Sequence, residues 1–261
     1  MVPISISEES VLAALGAWMW PFMRVGGFVM AAPIIGTRTV PLRIRVILVL
    51  ALTAVLAPVV AVPADLAPFS ADGVVAVAQQ IMIGATLGLI LRLAFLVFEF
   101  AGQLIAQQMG LGFAAMVDPS SGAQVPVFAH LYMILASLLF VASNAHLALI
   151  KLLGESFVLL PVSRHGLSPA AAELIVAWAG SLFGTALLLG LPLVVALLAV
   201  NLALGVMARA APQLNIFSVG FPVTILAGVM LAALTLDDLS SQGLAVFDSA
   251  FDTVRAALTA R

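Results

Sequence analysis

Six apolar runs, nearly free of charge and separated by connections rich in proline and glycine, constrain the fold of this chain more than any other feature. They cover Val11–Ala32, Val46–Val62, Val74–Phe98, Val127–Ile150, Ala170–Ala208 and Leu214–Leu236. A helix that crosses a bilayer needs about 20 mostly apolar residues, and each run meets or approaches that length. The expected fold class is therefore all-α and polytopic. The fifth run is long enough for two segments, and Gly190-Leu191-Pro192 falls near its middle. Proline there lacks an amide donor and crowds the preceding turn, so a tight helical hairpin is expected. Other breakers gather between the runs, at Pro33 to Pro41, Pro63 to Gly73, Gly110 to Pro126 and Pro161 to Pro169. Ser168-Pro169 reads as an N-cap followed by proline at the first helical position.

Composition closes off the alternatives. Hydrophobic residues make up 64% of the 261 positions and charged ones 8%, against about 25% charged in soluble globular proteins. So few charges cannot coat a water-soluble surface of this size, and the exterior must face lipid or protein. A formal net charge of -2 with a single lysine, Lys151, argues against nucleic acid as a partner. Cysteine is absent, which excludes disulfides, thiolate metal sites and a cysteine nucleophile. His130, His146 and His165 have no helical spacing to one another or to carboxylates that would shape a metal site. There is no phosphate-binding glycine loop, nucleophile elbow, HExxH or dinucleotide fingerprint. Catalytic residues, metals and cofactors are not expected.

No linker is long or polar enough to divide the chain, so residues 1–261 read as one helical membrane domain, with a core over 1–236 and an amphipathic tail over 237–261. Asp237, Asp238, Asp248, Asp252, Arg255 and Arg261 suit the solvated face of that tail. The first run is too long for the apolar core of a signal peptide and lacks a basic region before it. Ser5-Ile6-Ser7-Glu8 instead resembles a capping box opening a retained helix. Arg38, Arg43 and Arg45 between the first two runs favour a cytoplasmic loop there, with Asp65 and Asp72 on the opposite side.

Three features carry functional interest. Gly84 with Gly88, and Gly180 with Gly184, are small-xxx-small pairs that let helix backbones approach closely; equally, glycine is simply frequent in membrane helices. Arg24, Arg92 and Glu99 lie in or beside apolar runs, where an ionisable group needs a partner or an aqueous cavity. Arg92 and Glu99 fit snorkelling or structural pairing. Arg24 sits mid-run, so either its segment does not cross lipid or it faces another subunit. The third feature is the segment from Gly102 to Pro126, in which Gly110 and Gly112 alternate with Met109, Leu111, Phe113 and Met116. Flexible apolar side chains on a glycine-rich backbone suit a stopper that fills a pore and moves aside; they also suit an ordinary re-entrant connection.

Ordered motifs go beyond these physical readings. Ala211-Pro212-Gln213-Leu214-Asn215-Ile216-Phe217-Ser218-Val219-Gly220-Phe221-Pro222, preceded by Asn201, Gly205 and Arg209, resembles the signature of the FliR family. Arg24 through Ala32-Pro33-Ile34-Ile35-Gly36, then Val40-Pro41-Leu42-Arg43-Ile44-Arg45, and later Asp118-Pro119-Ser120-Ser121-Gly122, match that family in the same order. Ser156-Phe157 with Pro161 adds weaker support. The resemblance implies a non-enzymatic core subunit of the flagellar type III export gate in the bacterial inner membrane, at the flagellar basal body. It implies FliP-type and FliQ-type partners, FlhB-type and FlhA-type neighbours, and unfolded flagellar proteins in transit. It also implies bent helical hairpins assembled into a helical complex, sheltering Arg24 among subunits. Gln107, Met109, Gly110, Leu111, Gly112, Phe113 and Met116 then fall in a plug that closes the pore. Arg24, Gly84, Gly88, Gly180, Gly184, Pro212, Gln213, Asn215 and Phe217 fall to subunit packing. The rival readings are a secondary transporter of a small solute, which also uses broken helices and buried charge, and a scaffold without a transport role.

Overall fold

A computed structural model describes residues 8–37, 39–61, 63, 66, 70–111, 127–211 and 216–260, with side chains described from residue 16 onward and, in the last stretch, from residue 219. The helices are α1 Glu8–Ala31, α2 Leu42–Leu56, α3 Ala71–Gln108, α4 Val127–Ala142, α5 Ala145–Leu159, α6 Pro169–Ala210, α7 Ile216–Leu234 and α8 Leu236–Thr259, with a 3₁₀ turn at Ala57–Val59. No strand occurs among the described residues. The all-α expectation holds because each apolar run satisfies its backbone hydrogen bonds internally. Among the described residues, Leu42–Val59, Ala71–Gln108 and Pro169–Ala210 are long and apolar enough to cross a membrane, and counting each bent helix pair as one span raises the number to as many as five.

Three boundaries differ from the expectation. The run Ala170–Ala208 is not a hairpin: α6 passes through Pro192 as one helix of 42 residues. A proline inside an apolar helix is tolerated where neighbouring groups and small adjustments absorb the lost bond. Gly190, just before it, faces Ala101 of α3 with room to spare, since an added Cβ would make only ordinary van der Waals contact there. The run Val127–Ile150 is broken at Ser143-Asn144, where Asn144 takes the left-handed conformation at φ 57°. Asparagine is among the few non-glycine residues that adopt it readily. Finally, α3 extends past Phe98 to Gln108.

The described parts of the chain form two compact units. Met1–Leu93, Asn144–Ala179 and Asp248–Arg261 make the first, and Ala94–Ser143 with Gly180–Phe247 the second. In the first unit α1 packs on α2 and meets α3 across glycines. A Cβ on Gly84 would strike the Arg24 carbonyl, and one on Gly88 would come within 2.7 Å of the Phe28 oxygen. Trp20, Val25, Ile83, Ile90 and Leu153 are buried there. In the second unit a phenyl cluster joins α3, α4 and α8: Phe95, Phe98 and Phe140 surround Phe247 at centroid distances of 5.2 to 5.6 Å. Helix α8 has Val246, Phe247, Ala250, Phe251, Val254 and Leu258 buried and Asp248, Asp252 and Arg255 exposed.

Candidate functional site

The end of α3, in the second unit, is built by a left-handed glycine. Gly110 has φ 77°. Its amide donates to the Gln107 carbonyl at 3.1 Å, and the Leu111 amide donates back to the Ala106 carbonyl at 3.1 Å. This pair of bonds is the Schellman arrangement, which stops a helix while satisfying its last carbonyls. Glycine adopts the required φ without a Cβ penalty.

Two carbonyls at this terminus are taken by side chains of other helices. Asn201 Nδ2 on α6 donates to the Gln108 oxygen at 2.9 Å. The Thr224 hydroxyl on α7 donates to the Met109 oxygen at 3.1 Å. Met109 itself is buried, and its thioether ends against Gly228, where a Cβ would come within 2.7 Å of Sδ and Cε. Gly220, Thr224 and Gly228 form the buried stripe of α7, one turn apart, while Val219, Val223, Leu226, Val229 and Met230 are exposed. Gln107 is exposed, and Gly110 and Leu111 are partly buried. Of the residues expected in the same segment, Gly112, Phe113 and Met116 lie outside the described residues, as do Pro212, Gln213 and Asn215. Phe217 lies in α7, with its side chain outside them.

In the first unit Arg24 is fully buried. Its Nε donates to Gln80 Oε1 of α3 at 2.7 Å. Its Nη1 donates to the Ser156 carbonyl at 2.6 Å and to the Ser156 hydroxyl at 3.1 Å, and Nη2 donates to the Leu160 carbonyl at 2.8 Å. The guanidinium lies 4.1 Å from the centre of the Phe157 ring. No carboxylate takes part in these contacts. The cation is instead held by the C-terminal end of α5, where the helix dipole is negative and the Ser156 carbonyl accepts from the guanidinium as well as from the Leu160 amide, and by the face of an aromatic ring. The sequence left a choice between a segment outside lipid and an arginine facing another subunit; the structure supplies a third arrangement, in which the chain encloses Arg24 itself.

The glycine pairs divide. Gly84 and Gly88 are used within the chain, against α1, whereas Gly180 and Gly184 on α6 have nothing within 4 Å of a built Cβ. Arg92 is exposed and Glu99 half-buried on α3, and neither has an ion-pair partner among the described residues. Sequence reasoning missed Gln80, Thr224 and Gly228. Gln80 carried a readable signal, a long polar side chain inside an apolar run; so did the small residues Gly220, Thr224 and Gly228 at helical spacing.

Comparison with known proteins covers nearly the whole chain. The family described as bacterial export proteins, family 1, matches residues 15–250, so the match passes beyond the signature motifs into α8. The chain is 40% identical over 243 residues to a flagellar biosynthetic protein FliR of Pectobacterium carotovorum subsp. carotovorum, covering 93% of this chain and 92% of that one. It is 42% identical over 232 residues to the FliR of Escherichia coli (strain K12), covering 88% of each. It is 27% identical over 250 residues to that of Bacillus subtilis (strain 168), covering 95% and 96%.

Proposed function

The chain belongs to the FliR family of bacterial export proteins, and from that premise we propose that it is a core subunit of the gate through which unfolded flagellar proteins cross the bacterial inner membrane. The observation that carries this reading is the mismatch between helix length and cover. With 42 and 38 residues, α6 and α3 are long helices. At 1.5 Å per residue they measure about 63 Å and about 57 Å, roughly twice the ~30 Å hydrocarbon core. Yet the most apolar stretch of α6 is only 22% buried within the chain, against 56% for α3. Apolar surface that reaches beyond a bilayer needs protein to cover it, which supports a subunit that completes itself in an assembly. The partners are the FliP-type and FliQ-type subunits, with FlhB-type and FlhA-type proteins adjoining, at the flagellar basal body. The chain acts as a structural component and not as a catalyst.

Within that gate the segment from Gln107 to Met116 is the plug. Its apolar side chains keep the closed pore dry, and its glycines let it retract when substrate enters. The docking of Gln108 and Met109 on α6 and α7 makes the first residues of the segment its root, so the retracting part begins after Leu111.

Co-purification of the tagged chain with its FliP-type and FliQ-type neighbours in mild detergent, with mass analysis of the particle, tests the assignment. A stable hetero-oligomer is expected. A monomer or homodimer that leaves both partners behind overturns it in favour of a solute transporter. For the plug, deleting residues 112–117 is expected to raise ion conductance without loss of the complex; unchanged conductance removes that role.

A further inference from the structure

In the first unit α1 and α3 run side by side in the same direction. A Cβ on Gly84 would meet the Arg24 carbonyl and one on Gly88 the Phe28 oxygen, and the same register, taken one turn back along both helices, sets Trp20 level with Gln80. Both of these side chains are fully buried, as is Arg24 between them. Hydrogen-bonding capacity in this cluster is lopsided. Gln80 Oε1, the Ser156 carbonyl and hydroxyl, and the Leu160 carbonyl all accept from Arg24. The Ser156 carbonyl accepts from the Leu160 amide as well, and the Ser156 hydroxyl gives its own proton to the Leu153 carbonyl. Donors, by contrast, are left over. Trp20 Nε1 and Gln80 Nε2 have no acceptor among the described residues, and Arg24 gives four bonds where a guanidinium carries five N–H groups. Surplus N–H groups around a buried cation with no carboxylate beside it leave charge and hydrogen bonding unbalanced together.

We propose that Trp20 Nε1, Gln80 Nε2 and the Arg24 guanidinium form a binding site for one small inorganic anion of the size and charge of chloride. A halide accepts from several N–H groups at once, has no proton of its own to place, and neutralises the cation. Water suits the same atoms less well: after accepting two bonds it still carries two protons, and the acceptors that hold Arg24 are already engaged. The anion bridges α1 and α3 beside their glycine crossing, so its binding stabilises the folded chain by mass action. The site lies in the first unit and is independent of the plug.

The test uses the full chain in mild detergent, with chloride and iodide as probes. Thermal unfolding in sodium chloride is expected several degrees above that in sodium gluconate at equal ionic strength, the gain saturating with chloride concentration. Gln80→Glu keeps the acceptor for Arg24 Nε and supplies a built-in negative charge where the anion sits, so its unfolding is expected to ignore chloride. A general salt effect would persist in that variant, and its persistence overturns the site. Iodide gives a second readout. With Trp18→Phe and Trp178→Phe leaving Trp20 as the only indole, a bound iodide quenches a fluorophore that burial otherwise shields, and saturable quenching is expected. Should Gln80→Glu fail to fold, this quenching decides alone. Equal stability in the two salts, or fluorescence untouched by iodide, overturns the anion site and leaves the donors to water.

Discussion

Arg24 donates to both the carbonyl and the hydroxyl of Ser156, a residue 132 positions further along the chain. Together with its bonds to Gln80 and Leu160, this makes one guanidinium the tie between α1, α3 and the end of α5. Arg24→Met removes every donor while keeping most of the volume. Each buried acceptor left without a partner costs about 1–3 kcal/mol, so a sharp fall in detergent-stable folded protein is expected. Arg24→Lys retains the charge but lacks the planar fork that reaches three residues at once, and falls between the two. Thermal stability in detergent ranks the three; a lysine variant equal to the parent refutes the role of the fork.

The two glycine pairs make opposite predictions. Alanine at Gly84 would drive its Cβ into the backbone of Arg24 and Phe28, which cannot yield as a side chain can, and overpacking of this kind costs about 1–3 kcal/mol. Alanine at Gly180 meets nothing within 4 Å, so the isolated chain keeps or slightly gains stability, since alanine is better than glycine in a helix by about 1 kcal/mol. Any loss for Gly180→Ala is expected only in co-purification with the partner subunits. Unfolding of the isolated chain by Gly180→Ala contradicts this division.

At Gly110 the φ of 77° decides the outcome. Gly110→Ala forces a Cβ into the left-handed region at a cost of about 1–2 kcal/mol, while Gly110→Asn is better tolerated. Hydrogen exchange at the Leu111 amide, which donates to the Ala106 carbonyl, reads the effect directly: faster in the alanine variant, and closer to the parent in the asparagine variant.

Phe247 stands at the centre of the phenyl cluster and is 1% exposed. Phe247→Ala is expected to cost about 3–5 kcal/mol, and truncation before α8 to cost more. Truncation also removes the bonds from Trp178 to Ser249 and from Ser168 to the Ala260 carbonyl. A truncated chain that still purifies folded shows that α8 is dispensable to the core.

Sequence made the helices legible because an apolar run must close its own backbone bonds whatever surrounds it. The boundaries were less so. α3 outruns its hydropathy because Glu99, Gln103, Gln107 and Gln108 are polar yet strong helix formers. The break at Asn144 hid inside a run that reads as apolar throughout, and Pro192 suggested a turn where α6 continues unbroken. Arg24 stood out as anomalous from the first, but its partners lie 56, 132 and 136 positions away, and spacing along one chain does not reveal such pairings. The segment beginning at Gln107 was noticeable for its composition; Thr224 and Gly228, which seat Met109, were not, since both are small residues in an ordinary apolar helix.

The distance in sequence between Arg24 and the carbonyls that hold it also sets an order of events during synthesis. A ribosome adding about 5–20 residues per second needs on the order of ten seconds to pass from Arg24 to Leu160, 136 residues later. For nearly all of that interval the nascent chain carries a cation in its first apolar helix with at least two of its three anchors unmade. The first helix must therefore wait at a place where water or lipid headgroups can serve the guanidinium, and it settles only after α5 has been delivered. Biogenesis of this protein is in that sense paced by its third quarter, and a stall before residue 160 would strand a charge that the finished molecule keeps entirely out of sight.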